Sequence, residues 1–291
     1  MALAQTALVL QALEQQGLRC EVITIRTEGD RHPDRPTREL GAGAFVSEIE
    51  AALADGRIDL AVHSAKDLHG ESTSDLELAA FLPREDPLDV LVARDGATLT
   101  SLPAGARVGT ESPRRRAFLV AARPDLDPCG IRGNVDTRLR KLDAGDVDAL
   151  VLAAAGLNRL GLSHRITERL DPAVMLPEAG QGAIAVQARS AAGSLAATLA
   201  AIDHHRTRAE VEAERAFVAA LGGDCQSAIG ALGAADRDTL RLNGAVLDPD
   251  GTRILRDCIV GLTAHAAEVG RTLASTLLQN GARSLMAGAT R

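Results

Sequence analysis

A carboxylate and a lysine follow the first strongly apolar run of the chain. In HSAKDL (residues 63–68), Lys66 and Asp67 come directly after the run IDLAVH. Open α/β sheets bind ligands beyond the carboxyl ends of their strands, so Asp67 is a candidate acid-base group. A plain surface ion pair between the two neighbours is the alternative, and spacing alone favours it.

Arginines cluster at the start of a predicted helix in GTESPRRR (residues 109–116). Ser112 is the expected N-cap and Pro113 the first helical residue. The arginines at 114–116 then fall in the first turn, where the helix macrodipole disfavours cations. This placement favours an anion held by backbone N–H groups and guanidinium groups, and a solvated basic face is an equally good alternative.

Two further strand ends carry arginines. Arg132 and Arg138 lie in IRGNVDTR, and Arg159 lies in AAAGLNRLG. Each alone is more often a surface residue than a ligand. Together with the first cluster they predict an electropositive cleft for a ligand with many carboxylates.

Cys225 lies in a glycine-rich turn, GGDCQSAIG (residues 222–230), after a predicted helix. A cysteine there is either an exposed, reactive thiol or an inert small hydrophobe. Cys20, Cys129 and Cys258 lie in or beside apolar runs, so we expect them to be inert. The four cysteines form no CxxC pair, which fits neither a zinc site nor a disulfide framework and indicates a reducing, cytoplasmic compartment.

Composition excludes several classes of protein. The net charge is −7 and the chain has four Phe but no Trp or Tyr, so we expect an aliphatic core and no nucleic-acid partner. No apolar run approaches the roughly 20 residues that span a bilayer. The adjacent His204 and His205 point to different helix faces, so no metal site is predicted.

The apolar pattern alternates between helical and strand periods. Helices are predicted at residues 2–16, 44–55, 135–143, 206–221 and 264–279, and strands at residues 20–26, 58–63, 148–153, 241–248 and 253–261. Residues 27–40 are polar and predict a loop. The repeated order of helix, glycine and buried strand predicts parallel α/β sheets in two lobes, followed by a small antiparallel α+β domain. PREDP (residues 83–87) and LPEAGQG (residues 176–182) are the predicted hinge crossings.

Taken in order, these segments resemble the porphobilinogen deaminase (hydroxymethylbilane synthase) family. The matching motifs extend from about residue 41 to 230 and include AVHSAKDL, PREDP, RPDL, IRGNVDTRL, AGLNRLGL, AERAF and GGDCQ. The resemblance implies an α/β fold of two periplasmic-binding-protein-like lobes plus a C-terminal α+β domain that carries the cysteine. The implied domains are residues 1–83 with 183–202, residues 87–177, and residues 205–291.

The resemblance also implies an enzyme of tetrapyrrole and heme biosynthesis with a dipyrromethane cofactor joined to Cys225 through a thioether. It further implies a monomer that acts on porphobilinogen, without a membrane or nucleic-acid partner. The implied catalytic residues are Asp67 and Lys66; the implied cofactor-binding residues are Arg114, Arg115, Arg132, Arg138, Ser112 and Thr110; the implied substrate-binding residues are Gln5, Arg159 and the hinge residue Arg84.

The implied chemistry explains these residue types. Porphobilinogen loses ammonia to give a methylene-pyrrolenine cation, which the free α-carbon of the growing chain attacks. A carboxylate about 4 Å from that cation stabilises it by roughly 4 kcal/mol at an effective dielectric of about 20. Each added substrate brings two carboxylates, so a growing chain needs many arginines.

The chain differs from the family pattern at its start. Met1–Gln5 already lies inside the first helix, so we expect the first sheet to lack its first strand and the R-x-S-x-L-A loop, leaving an aliphatic gap. Ala42 and Ser47 stand where lysines are usual, and His69 stands where proline is usual. The alternatives are a start recorded too far downstream, a degenerate relative with little activity, or a two-lobed module that binds a polycarboxylate without catalysis.

Overall fold

The computed structural model describes residues 1–31, 43, 46–68, 75–190, 193–223 and 227–287. The predicted positions Ala42, His69 and Cys225 lie outside them. Its α-helices are α1 (Ala2–Gln15), α2 (Glu28–Arg31), α3 (Ser47–Ala54), α4 (Pro113–Ala122), α5 (Val135–Asp143), α6 (Ala154–Arg159), α7 (Ala196–Ile202), α8 (His205–Leu221), α9 (Ala266–Gln279) and α10 (Ala282–Ala287). Its strands are β1 (Leu60–Ser64), β2 (Leu76–Phe81), β3 (Asp89–Ala93), β4 (Arg107–Gly109), β5 (Asp127–Cys129), β6 (Ala149–Ala153), β7 (Glu168–Arg169), β8 (Ile184–Arg189), β9 (Ile229–Asp236), β10 (Thr239–Leu247) and β11 (Ile254–Leu262).

The first lobe is built on a sheet with the strand order β1-β8-β2. Strand β8 returns from more than 100 residues downstream, lies between the other two and is antiparallel to both. The predicted parallel pairing is therefore wrong for the described part of this lobe. Helices α1 and α7 cover one face, where Leu13, Val186 and Leu199 form a common core.

The segment at residues 20–26 is not a strand, which corrects the prediction. Its residues have no regular secondary structure and pair with no described strand, and Val22 and Ile23 are 45% and 56% exposed. An apolar cavity of about 400 Å³ lies between this segment, α1 and β1. A strand-like pattern needs a partner for its backbone groups before it forms a ladder. The predicted loop at 27–40 opens with the short helix α2, and the rest of it is outside the described residues.

The second lobe contains a five-stranded sheet in the order β5-β4-β6-β3-β7. Strands β4, β5 and β6 are parallel, as predicted, whereas β3 is antiparallel to both β6 and β7. Helix α4 packs on one face through Phe118, and α5 packs on the other through Leu139 and Leu142. The carboxyl ends of β4, β5 and β6 therefore share one edge, from which the arginine-bearing segments leave.

The C-terminal domain is antiparallel α+β, which confirms the prediction. Strands β9, β10 and β11 form a meander, and α8 and α9 cover one face of it around Phe217. Its other face contributes Ala228, Ala245 and Leu247 to the core of the second lobe. No helix among the described residues is long and apolar enough to cross a bilayer.

Two crossings join the lobes side by side. The outgoing crossing (residues 82–88) and the return crossing (residues 176–183) are joined by hydrogen bonds from Leu82 N to Ile184 O and from Glu85 N to Gly182 O, each 3.1 Å long. Gly182 has a φ of +84°, and a Cβ at this position would collide with the Glu85 carbonyl. The two crossings can approach this closely only because residue 182 is glycine.

We predict that Gly182→Ala destabilises the protein far more than Gly161→Ala. Gly161 also has a positive φ, +71°, but nothing lies within 4 Å of its missing Cβ. Backbone strain alone should cost about 1–2 kcal/mol at either site, and overpacking should add about 1–3 kcal/mol at Gly182. Urea unfolding of both variants measures this, and equal losses would contradict the close approach of the crossings.

Candidate functional site

A buried carboxylate lies between the arginines at the start of α4. Asp89, the first residue of β3, is fully buried, and Arg114 Nη1 donates to its Oδ2 at 2.6 Å. Arg115 Nε donates to its Oδ1 at 2.9 Å, and Gln181 Nε2 donates to the same oxygen at 3.0 Å. Burial alone would raise the pKa of Asp89, but the two guanidinium groups outweigh it and hold this pKa far below its ordinary value. The sequence predicts an anion at this helix start. For Arg114 and Arg115 that anion is the carboxylate of Asp89, a residue of the protein itself.

The local sequence fixes this geometry. The Ser112 Oγ accepts from the Arg115 N at 3.4 Å as the predicted N-cap, and Pro113 occupies the first helical position. Thr110 Oγ1 accepts from the Ser112 N at 3.2 Å. The helix therefore starts with Arg114 and Arg115 directed into the interior, and both hydroxyl groups keep an O–H to donate.

Arg114 is not fully satisfied by protein groups. Its Nη1 also donates to the Leu176 carbonyl at 2.6 Å, but its Nε and Nη2 are buried and have no hydrogen-bond partner among the described residues. Arg115, in contrast, also donates to Val151 O and to Gln181 Oε1. Buried donors without acceptors are rare in native proteins and indicate an unfilled acceptor position.

Arg132 and Arg138 flank the same edge of the sheet. Arg132 Nη2 forms an ion pair with Glu111 Oε2 at 3.1 Å. Arg138 Nε donates to the Gly133 carbonyl at 2.7 Å. Burial lowers the pKa of Arg138, the Arg115 guanidinium lowers it further, and Glu111 opposes both effects. The four residues Arg114, Arg115, Arg132 and Arg138, called the arginine site below, thus form a concentration of positive charge.

Arg159 lies beside the crossings rather than with the arginine site. Its Nη2 donates to the Gly182 carbonyl at 2.7 Å, and its Nε is buried with no partner in the described part of the chain. Burial lowers the pKa of Arg159, while Glu85 raises it. The neighbouring Asn158 donates to Glu85 Oε1 at 3.1 Å, and its Oδ1 has no described partner.

Asp67 ends a single 3₁₀ turn (Ala65–Asp67) directly after β1, and it is exposed. The return crossing packs against this turn: Lys66 pairs with Glu178 at 3.9 Å, and a Cβ on Gly180 would lie 3.0 Å from the Lys66 N. Lys66 therefore forms an ion pair with a residue of the return crossing. The sequence alone suggests a surface ion pair between Lys66 and its neighbour Asp67 instead. The predicted substrate residue Gln5 is buried, and its Nε2 donates to Ser64 Oγ at 2.7 Å beside the same turn.

The start of β9, four residues after Cys225 in sequence, lies close to the arginine site. Cys225 itself lies outside the described residues, but Gly230 packs so closely on Leu176 that a Cβ would lie 2.6 Å from the Leu176 Cβ. The Leu176 carbonyl is the one that accepts from Arg114. Ala228 lies in the core cluster of the second lobe with Leu176. The start of β9 is therefore linked to Arg114 through a single residue, Leu176.

The other cysteines are predicted to be inert, and the structure shows how accessible they are. Cys20 and Cys258 are exposed, and Cys129 is half-buried. An apolar run alone does not bury its cysteine when the run lies on an unpaired segment or an edge strand. Burial nevertheless raises the pKa of the Cys20 and Cys129 thiols, which keeps them protonated and weakly nucleophilic.

Arg84, predicted to bind substrate, is occupied by protein groups. Its Nη1 and Nη2 donate to the two carboxylate oxygens of Glu214 at 2.7 and 3.0 Å, and its Nε donates to Gln181 O at 2.9 Å. Burial opposes its charge, but Glu214 and Glu210 raise the pKa of Arg84. Glu214 also accepts from the backbone N of Gly180 and Gly233, each at 2.7 Å, so this pair ties α8, the return crossing and β9 together.

Sequence reasoning missed four polar residues of this region: Asp89, Gln181, Glu214 and Glu111. A signal was present for two of them, Asp89 and Glu214. Asp89 opens an apolar run that is buried throughout, and Glu214 lies on the buried face of α8. A charged residue at a core position needs an opposite charge nearby, and the sequence offers Arg114, Arg115 and Arg84.

The molecule is thus a two-lobed, hinged α/β protein with a C-terminal α+β domain, and arginines cluster at the strand ends of its second lobe. Comparison with known proteins agrees with this class. Residues 1–197 match the family model "Porphobilinogen deaminase, dipyromethane cofactor binding domain", and residues 208–279 match "Porphobilinogen deaminase, C-terminal domain". The chain belongs to the porphobilinogen deaminase family, transferases of tetrapyrrole biosynthesis.

Named relatives cover almost the whole chain. A porphobilinogen deaminase of Acidothermus cellulolyticus is 48% identical, covering 98% of this chain and 88% of the relative. One of Roseiflexus castenholzii is 49% identical, covering 99% of this chain and 96% of the relative. Among solved structures, the VFT2 domain of Bordetella pertussis BvgS aligns with a TM-score of 0.39 and 22% identity, over 68% of this chain and 76% of that one.

We predict that Asp89→Asn destabilises the protein by about 3–5 kcal/mol, because it leaves two buried guanidinium groups without their counter-charge. The pKa of Asp89 is lower in the folded than in the unfolded protein. Its contribution is therefore present above the unfolded pKa of about 4 and is lost as the pH falls below that value. Urea unfolding between pH 7 and pH 3 should show a steeper loss of stability for the wild type than for Asp89→Asn.

The matched control is Asp125→Asn, which removes the carboxylate of an exposed ion pair with Arg123. It should change the free energy of unfolding far less than Asp89→Asn does. A variant at Asp89 that is as stable as the control would contradict the role given to this carboxylate.

Proposed function

We propose that the chain catalyses the stepwise, deaminating linkage of four porphobilinogen molecules into hydroxymethylbilane. The product grows on a dipyrromethane primer joined to Cys225 through a thioether. The observation that carries this proposal is the series of contacts from the Asp67 turn, through the return crossing, to the arginine site and the start of β9. The family matches over residues 1–197 and 208–279 support the same activity.

The residues present fit a ligand with several carboxylates. Arg114 has two buried N–H groups without described acceptors, and Arg138 is largely buried with its pKa lowered. A carboxylate ligand supplies both the missing acceptors and the missing charge, and guanidinium groups bind carboxylates through paired hydrogen bonds. We assign Arg114, Arg115, Arg132 and Arg138 to the cofactor, with the O–H groups of Thr110 and Ser112 as further donors.

The primer supplies the free α-carbon of a terminal pyrrole on which each new unit is added. Asp67 is exposed at the end of β1, so its carboxylate can accept pyrrole N–H groups and stabilise the positive charge on the substrate after ammonia leaves. Lys66 is held by Glu178 beside it. Arg159, with a buried Nε lacking a described acceptor, is assigned to the substrate carboxylates.

Gln5 and Arg84, both predicted to bind substrate, are assigned positioning roles because each donates hydrogen bonds to protein groups. Gln5 donates to Ser64, so we propose that it positions the segment before Asp67 as well as lining the substrate site. Arg84 has its donors engaged by Glu214 and Gln181, so we propose that it positions the crossings and does not bind substrate directly. The three-domain division at residues 1–83 with 183–202, 87–177 and 205–291 is also proposed, supported by the three sheets.

We further propose that the protein acts as a monomer in the cytoplasm. The free thiols of Cys20, Cys129 and Cys258 fit a reducing compartment. Light scattering of the purified protein measures the oligomeric state.

We predict that Asp67→Asn lowers kcat by about a thousandfold, since removing roughly 4 kcal/mol of cation stabilisation has that effect on rate. The substitution is isosteric and the residue is exposed, so the melting temperature should change far less than kcat does. Formation of bilane from porphobilinogen is the measurement, and wild-type turnover would remove Asp67 from the reaction.

We predict that Cys225→Ala abolishes the covalent mass gain that the wild-type polypeptide acquires with porphobilinogen. Cys258→Ala, which removes an exposed thiol on β11, is the control and should keep the full gain. Intact-mass spectrometry distinguishes the two. A wild-type protein that shows neither adduct nor bilane would support a module that binds without catalysing.

A further inference from the structure

The arginine site has two acidic neighbours of very different accessibility. Asp89 is 0% exposed and is enclosed by Arg114, Arg115 and Gln181. The Glu111 side chain is 36% exposed and lies at the solvent side of the site. Of the two acids, Glu111 is the one that can turn towards solvent, because it and its partner Arg132 are both partly exposed.

Glu111 occupies a position that suits a ligand carboxylate. Its Oε2 lies 3.1 Å from Arg132 Nη2, and its negative charge acts on Arg138 as well, where it raises a pKa that burial lowers. Its Oε1 lies over Gly130, where a Cβ would come within 2.7 Å. The Glu111 carboxylate therefore pairs with Arg132 and adds negative charge near Arg138, in a space that the glycine leaves open.

We propose that Glu111 is a displaceable counter-ion that holds the place of a ligand carboxylate at Arg132 and Arg138. This inference rests on the proposed function of the arginine site. When a polycarboxylate binds, Glu111 gives up Arg132 and turns towards solvent, and the incoming carboxylate takes its contacts. Binding is then weaker than it would be without Glu111, because the ligand must first break an existing ion pair.

The size of this effect follows from the exposure of the pair. Ion pairs between groups exposed to this degree are worth a factor of about two to five in an equilibrium constant. Removing the Glu111 charge should therefore tighten carboxylate binding by about that factor. If Glu111 instead oriented Arg132 for the ligand, removing its charge would weaken carboxylate binding.

The test uses the full chain expressed in cells that make no porphobilinogen and verified by intact mass to carry no adduct. Citrate is titrated calorimetrically at constant ionic strength into wild type, Glu111→Gln and the control Asp127→Asn. Asp127 is also an exposed acid on the second lobe, but it lies at the amino end of β5, opposite the site. We expect Glu111→Gln to bind citrate about two- to fivefold more tightly than wild type, and Asp127→Asn to match wild type.

A second pair of variants tests the shared partner. In an Arg132→Gln background, Glu111→Gln should give a clearly smaller gain, because both carboxylates compete for Arg132; a double-mutant cycle measures this coupling. Equal or weaker citrate binding by Glu111→Gln than by wild type overturns the inference and leaves the arginine site in place. Absence of citrate binding in every variant overturns both the inference and the proposed carboxylate site.

Discussion

The arrangement of the site depends on one buried carboxylate with two guanidinium groups on it. Asp89 joins three pieces of the chain that are distant in sequence: β3, the start of α4 and the return crossing at Gln181. A charge at this depth persists only when it is paired and hydrogen-bonded, so each partner is held in place by the others. The direction of Arg114, and with it the position of the arginine site, follows from this network.

A second buried ion pair extends the same constraint to the C-terminal domain. Arg84 on the outgoing crossing binds both oxygens of Glu214 on α8, and Glu214 also accepts from the backbone of Gly180 and Gly233. Gln181 takes part in both networks, since its carbonyl accepts from Arg84 and its side chain donates to Asp89. The C-terminal domain is therefore held relative to the arginines by two buried charge clusters that share Gln181 of the return crossing.

The helix boundaries of this fold follow from local sequence signals, whereas the pairing of its strands does not. Helix α4 begins where Ser112 and Pro113 predict, and α5 has its predicted bounds of residues 135–143. The antiparallel place of β8 between β1 and β2 is decided by residues more than 100 positions apart, which periodicity cannot relate. The segment at residues 20–26 has the apolar pattern of a strand but pairs with no described strand, so the pattern alone predicts its secondary structure wrongly.

Contacts between residues that are distant in sequence are also what the sequence could not predict at the site. The arginines could be found from the sequence because they recur at strand ends, and the carboxylates that neutralise them could not, because each lies in a different segment. Asp89 and Glu111 show why the distinction matters for function. A fully enclosed counter-ion fixes its arginines and leaves them only their remaining N–H groups for a ligand. An exposed counter-ion leaves the guanidinium group available to any competing carboxylate, so the affinity of the site depends on how accessible its acids are as well as on how many arginines it contains.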